Sequence, residues 1–214
     1  MMSGMCNWLL VMLDRVRERI LGRGIRGGEV PSCIAVVISA EAVGAHWWRK
    51  VGTVAGWCTT LGIREAALFS EFFGPEKVED LERELADVPA RGRLIIGAEE
   101  RGFGKGGPLR LFISAGSGGK EEVTSAIRSL LVEVKAGVID PEAVDEEAIE
   151  ARLRLNLRPD LLIRLGHREL SDFMIWQSAY SELYFIDRSW DDLKKVNFLL
   201  AIRDYQRRER RFGR

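Results

Sequence analysis

The residues of this chain best suited to chemistry lie in its last third. Asp160-Leu-Leu-Ile-Arg-Leu-Gly166 reads as an apolar strand that delivers Arg164 and Gly166 to its carboxyl end, and open α/β sheets bind ligands at that end of their strands. Arg168 and Ser171 follow within a few residues, Glu182 lies further on, and Arg211 and Gly213 close the chain inside a run of arginines. Guanidinium groups present rigid forks of donors that match phosphate oxygens. Several of them beside a hydroxyl and a carboxylate would suit a diphosphate and its Mg²⁺. Other spacings carry less. Gly102, Gly104 and Gly107 satisfy G-x-G-x-x-G but lead through Pro108 into a strand, where a dinucleotide site needs a helix, so a mobile loop is expected there. Gly116-Ser-Gly-Gly119 lies between a strand and a helix, where backbone N–H groups can meet phosphate. It lacks the Lys and Ser/Thr of a phosphate-binding loop, and a tight turn needs glycine in any case. His46, beside Trp47 and Trp48, reads as packing, and His167 has no nucleophile pattern near it.

Elements to position such a site are plentiful in 214 residues, a length that suits one domain of ordinary size. With 46% hydrophobic and 30% charged residues, the chain is neither a disordered tail nor a membrane bundle. Thirty-two Lys and Arg balance thirty-two Asp and Glu, which removes the basic field of a dedicated nucleic-acid binder. The balance is local only in part, because residues 203–214 hold six arginines against Asp204 and Glu209. Cys6, Cys33 and Cys58 are too few and too scattered for a disulfide framework or a zinc site, which suits a reducing cytoplasm.

The apolar pattern predicts an α/β fold: a mostly parallel central sheet of about six strands flanked by helices. Strands are expected at 34–38, 66–69, 94–96, 109–114, 160–165 and 183–185, and helices at 43–61, 75–85, 121–135, 142–155, 172–180 and 191–211. Ahead of them, residues 1–30 read as an amphipathic helix over 5–21 and a glycine-rich link, with the domain proper over 31–214. Docking of that helix on the protein's own core or on a partner is expected, with contact at a membrane surface as the alternative. Its apolar part is too short to span a bilayer.

The run from Asp160 to Phe185, with Trp176-Gln-Ser-Ala-Tyr-Ser-Glu-Leu-Tyr-Phe185 inside it and Arg207-Arg-Glu-Arg-Arg-Phe-Gly213 after it, resembles the carboxyl-terminal signature of the cis-prenyltransferases, the undecaprenyl and dehydrodolichyl diphosphate synthases. The resemblance implies that Arg164, Arg168 and Ser171 bind isopentenyl diphosphate, that Glu182 helps to hold Mg²⁺, and that Arg211 and Gly213 reach across a dimer to the partner's diphosphate. The stretch from Arg164 to Ser171 is one residue shorter than the family spacing, with His167 near the usual glutamate.

At the first strand the sequence departs from that pattern. Family members with activity carry M-D-G-N-x-R-W-A there, and here Ala35-Val-Val-Ile38 runs into Ser39-Ala-Glu-Ala-Val43. Ser39 takes the aspartate's place, Ala40 and Val43 fall on the phosphate turn, Glu41 adds a negative charge, and Phe69-Ser-Glu-Phe-Phe-Gly74 is what remains of F-S-T-E-N-W. A hydroxyl is a far poorer Mg²⁺ ligand than a carboxylate. This combination is similar to the accessory subunits of heteromeric cis-prenyltransferases, the Nogo-B receptor type. That likeness implies no catalytic residue in this chain alone and a catalytic sister subunit, in a heterodimer or heterotetramer, that holds most of the Mg²⁺. It also implies isopentenyl and allylic diphosphates in a shared site, and a long-chain, dolichyl-type polyprenyl product. Two alternatives stand beside it: an autonomous homodimeric cis-prenyltransferase using Glu182 and Glu41 for metal, and a scaffold that binds polyprenyl lipids. A cytoplasmic location, peripheral at most to a membrane, is expected.

Overall fold

The computed structural model describes residues 2–25, 27–44, 46–70, 78–97, 99–116, 118–166 and 174–208. Uninterrupted apolar runs become the middle of a sheet. Cys33–Ile38 (β1) and Leu161–Leu165 (β6) are buried at every position, as strands covered on both faces must be. Glu65–Ser70 (β2), Arg91–Ile96 (β3), Glu99–Phe103 (β4), Arg110–Ala115 (β5) and Glu182–Ile186 (β7) complete a seven-stranded sheet in the order β4-β3-β5-β2-β1-β6-β7. Every pairing is parallel except that of β3 with β4.

Alternation along the strands feeds two cores. Ile34, Val36, Ile38, Leu161, Ile163 and Leu165 face one side, where they meet Val51–Leu61 (α2), Val78–Leu85 (α3) and Lys195–Tyr205 (α6). Ala35, Val37, Phe69, Phe112 and Leu162 face the other, under Leu155, Leu157 and Met174. Gly119–Lys135 (α4) and the short Glu146–Glu150 (α5) follow β5. Met2–Ile25 (α1) packs along α6, burying Leu21 and Ile25 in the first core.

Side chains lace the amino end of the central strands. The Asp160 carboxylate accepts from the Ser32 and Cys33 backbone N–H groups at 2.8 and 3.1 Å and from the Ser32 hydroxyl at 3.2 Å, which fixes the starts of β1 and β6 together. On the opposite side of the molecule the Lys50 ammonium donates to the carbonyls of Trp190 at 2.8 Å and Leu193 at 3.0 Å and to that of Asp191. Burial pulls the Lys50 pKa down while Asp191 and Asp192 oppose the shift. The Trp190 indole donates to Trp47 O at 2.6 Å from a fully buried position.

Several expected elements take another form. Helix 43–61 begins as a turn, tightens into a 3-10 segment Trp47–Lys50, and only then becomes α2, which ends on Gly62 in the left-handed conformation. The exposed His46 stands ahead of that segment, edge-on to Trp48. Helix 142–155 shrinks to Pro141–Ala143 and α5, because the Asp140 and Asp145 side chains each cap a fresh start. Residues 174–180 form turns instead of a helix, and Met174 adopts φ 37. Helix 191–211 starts at Lys195, since the carbonyls just before it are already bonded to Lys50. The glycine-rich stretch expected to be a link is helical through Ile25. The loop expected around Gly102 and Gly104 contains β4, with Phe103 paired opposite Gly92.

Candidate functional site

The central strands β1 and β6 lie side by side, and their onward connections lead to opposite halves of the sheet, β1 towards β2 and β6 towards β7. The carboxyl ends of two such strands diverge around a crevice, the usual ligand position in an open α/β sheet. Ser39 and Gly166 are the first residues beyond those ends, and their backbones stay laced: Ser39 N–H donates to Leu165 O at 3.3 Å and Gly166 N–H to Ile186 O at 3.2 Å. Beyond Ser39 the chain turns sharply, with Ala42 and Val43 N–H donating to Ser39 O at 3.0 and 3.1 Å.

Gly166 adopts φ 92, and a Cβ there would lie 2.2 Å from Ser39 Oγ and 3.0 Å from the Ala42 methyl. The Ser39 hydroxyl is 1% exposed and has no hydrogen-bond partner among the described residues. Gly166→Ala is therefore expected to cost about 3 kcal/mol, from the backbone conformation and the contact together. Urea denaturation checks it: adding Ser39→Gly should recover the contact share of the loss and leave the conformational share.

Arg164 pairs across β1 with Val37, and its side chain lies on the sheet face of Val37 and Phe69. Only 3% of this arginine is exposed. A buried guanidinium costs heavily unless its donors meet acceptors. At the same level of that face the register runs Ile95, Ser114, Phe69, Val37, Arg164. Beyond Phe69 it reaches a cavity of about 330 Å³ lined also by Lys120, Glu121, Glu122, Arg128 and Arg154. Sequence reasoning missed this cavity of mixed charge, although equal parity on register-matched strands marks its floor.

Of the other expected site residues, Arg168, Ser171, Arg211 and Gly213 lie outside the described residues, as does His167. Glu182 does not join Arg164 and Ser39 within one chain. It pairs with Leu161 at the start of β6, at the amino end of the sheet, and its carboxylate receives Arg208 at 2.9 Å. Gln177, from the Trp-Gln pair of the signature, is a tie and not a ligand-facing group: its amide donates to Glu122 and to Leu155 O, both at 3.0 Å. Asp191, not singled out by the sequence, brings a carboxylate against Gly44 in the turn beyond Ser39.

The described residues of one chain do not fit a Mg²⁺ site. No three His, Cys, Asp or Glu side chains among them gather within reach of one ion. The strand end offers a neutral hydroxyl, Glu41 is exposed, and Glu182 is held by Arg208 far from both. Hard divalent cations need several oxygen ligands, with carboxylates foremost.

A mostly parallel sheet with a buried arginine and a tight glycine turn at its switch point defines an α/β protein of the open-sheet class, in which ligands are usually taken at the carboxyl ends of the strands. A family model described as putative undecaprenyl diphosphate synthase matches residues 92–213. The tritrans,polycis-undecaprenyl-diphosphate synthase (geranylgeranyl-diphosphate specific) of Methanopyrus kandleri is 32% identical over 94% of this chain and 91% of its own length. The isoprenyl transferase of Thermus thermophilus is 40% identical over 92% and 94%. Among solved structures, lavandulyl diphosphate synthase from Lavandula x intermedia, in complex with dimethylallyl diphosphate, superposes with TM-score 0.66 at 21% identity, covering 86% of this chain and 99% of that one, a likeness of fold. The chain belongs to the cis-prenyltransferase family.

These relatives overturn the expectation of a non-catalytic subunit that lends its tail to a catalytic sister chain. They match this chain over nine-tenths of both lengths, and they are named for the transfer reaction itself. That expectation rested on the departures at Ser39, Ala40, Glu41 and Val43 and on the remnant 69–74. Beside those departures stand the mostly parallel sheet, its switch point and the buried Arg164. Among the described residues no helix is long and apolar enough to cross a membrane.

Proposed function

We propose that this chain is itself a cis-prenyltransferase, joining isopentenyl diphosphate to an allylic diphosphate as a homodimer. The observation that carries the reading is the buried Arg164 at the switch point beside Gly166, in a chain that matches named transferases nearly end to end. In such a transfer the allylic C1–O bond breaks, a new C–C bond forms to the terminal carbon of isopentenyl diphosphate, and a proton leaves that unit as diphosphate departs. The chemistry asks for fixed positive charge around phosphate oxygens in a site closed to water. Arg164 supplies a guanidinium fork that stays charged when buried. Arg168 and Ser171 are assigned to the same diphosphate, and Arg211 and Gly213 to the diphosphate of the second copy. Mg²⁺ is the metal expected for diphosphate substrates, and Glu182 reaches a metal only if the second copy brings it to a neighbour's strand ends.

The name of the archaeal relatives directs the choice of allylic substrate. Purified chain without any sister subunit, supplied with geranylgeranyl diphosphate, labelled isopentenyl diphosphate and Mg²⁺, is expected to yield longer, diphosphate-terminated prenyl chains. Absence of incorporation with every allylic diphosphate from dimethylallyl upward overturns the proposal.

A further inference from the structure

We propose that α1 docks this protein on an anionic lipid bilayer, lying in the plane of the interface. The helix is apolar on two separate sides. One side, carrying Leu21 and Ile25, is buried against the body of the protein. The other carries Met12, Leu13, Val16 and Ile20, which are 46, 48, 48 and 63% exposed. At about 100° per residue these four span an arc of roughly 100°, centred about 150° around the helix from the buried side. The fold therefore uses one apolar face of α1 and turns the second away from itself.

Charge says what covers that second face. Arg15 and Arg19 border the stripe on one side, Arg17 borders it on the other, and Arg23 extends it in the last turn. The acidic residues of this part of the helix, Asp14 and Glu18, turn towards the body, and Asp14 is held by Lys194 at 2.8 Å. Ile20 and Arg17 also line a groove of about 430 Å³ between α1 and α6, into which Arg188 and Arg203 project beside the half-exposed Leu200. An apolar stripe with a cationic rim matches acyl chains beneath anionic headgroups. A second copy of the same stripe would bring arginine against arginine, and like charges across an interface are unfavourable. The helix has neither the length of apolar sequence nor the lack of charge needed to cross the bilayer.

The test is co-sedimentation of the intact chain with vesicles of phosphatidylcholine, alone or mixed with phosphatidylglycerol. Binding is expected to the mixed vesicles and to fall with added salt. Val16→Asp with Ile20→Asp should weaken it at least about tenfold, and Arg15→Glu with Arg19→Glu about thirtyfold or more. All four positions are exposed, so urea midpoints should stay at the wild-type value. Equal binding to both vesicle types, or undiminished binding by the Val16/Ile20 variant, overturns the proposal. So does a drop in oligomer size of that variant on ultracentrifugation without vesicles, which would give the stripe to a second copy. None of these readouts depends on turnover.

Discussion

Arg164→Ala is expected to lower isopentenyl incorporation about a thousandfold. A guanidinium fork on a diphosphate makes two charge-assisted hydrogen bonds, each contributing about 1.5–3 kcal/mol where water is excluded. Losing both corresponds to a factor between about a hundred and ten thousand. The side chain is buried at the end of β6, so the loss is not rescued by water entering in its place. If Arg164 holds the diphosphate equally in ground and transition states, the drop appears in KM; if its bonds tighten as charge develops, it appears in kcat. Arg164→Lys keeps the charge but not the fork, and should recover only about one tenth to one hundredth of the wild-type rate. Urea denaturation of each variant separates misfolding from a lost contact. A folded Arg164→Ala variant that keeps its activity within about threefold would remove the arginine from the site.

Ser39→Asp is expected to act in the opposite direction, raising the rate at least about tenfold and giving the chain a Mg²⁺ affinity that titration calorimetry can read. The new carboxylate would stand level with Gly166 and diagonal to Arg164, which pairs with the neighbouring Val37. Diagonal neighbours on one face of a sheet are within reach of long side chains. Arg164 would therefore offset the cost of burying the new charge. Ser39→Ala provides the control. Its hydroxyl has no hydrogen-bond partner among the described residues, so both activity and stability should hold, with a gain of up to about 1 kcal/mol from removing an unsatisfied polar group. A Ser39→Asp variant that folds yet gains neither metal affinity nor rate would show that this strand end is not where the cation is needed.

The central strands are legible in the sequence because burial on both faces leaves continuous apolar runs at β1 and β6, and the switch-point residues Arg164 and Gly166 follow from where those runs stop. Strand β4 is not legible. Its glycines signal a turn, yet Gly102 pairs with Arg93 inside the hairpin and Gly104 follows the strand at φ 86, where a Cβ would lie 2.3 Å from Ala90 O. Helix starts are misjudged wherever a remote side chain captures carbonyls, as Lys50 does ahead of α6. Glu182 shows the limit for sites. Its motif is plain in the sequence, but parallel pairing to Leu161 places it at the end of the sheet away from Ser39, and no local pattern carries that register. The subunit class is not legible because substitutions in the turn after β1, from Ser39 to Val43, say little about the contacts that surround it.

The Gln206 side chain donates to Ile25 O at 3.0 Å and to Glu29 O at 3.1 Å, and its amide fills the space over Gly28. It sits just past the end of α6, two residues before Arg208. The exit of the first helix and the departure point of the arginine-rich terminus thus share one pivot. Any force that tilts the amino-terminal helix, as attachment to a surface would, reaches the end of α6 through this amide as well as through the packing of the two helices and the Asp14–Lys194 pair. Leverage of this kind would couple the seat of the first helix to the point where the chain leaves α6.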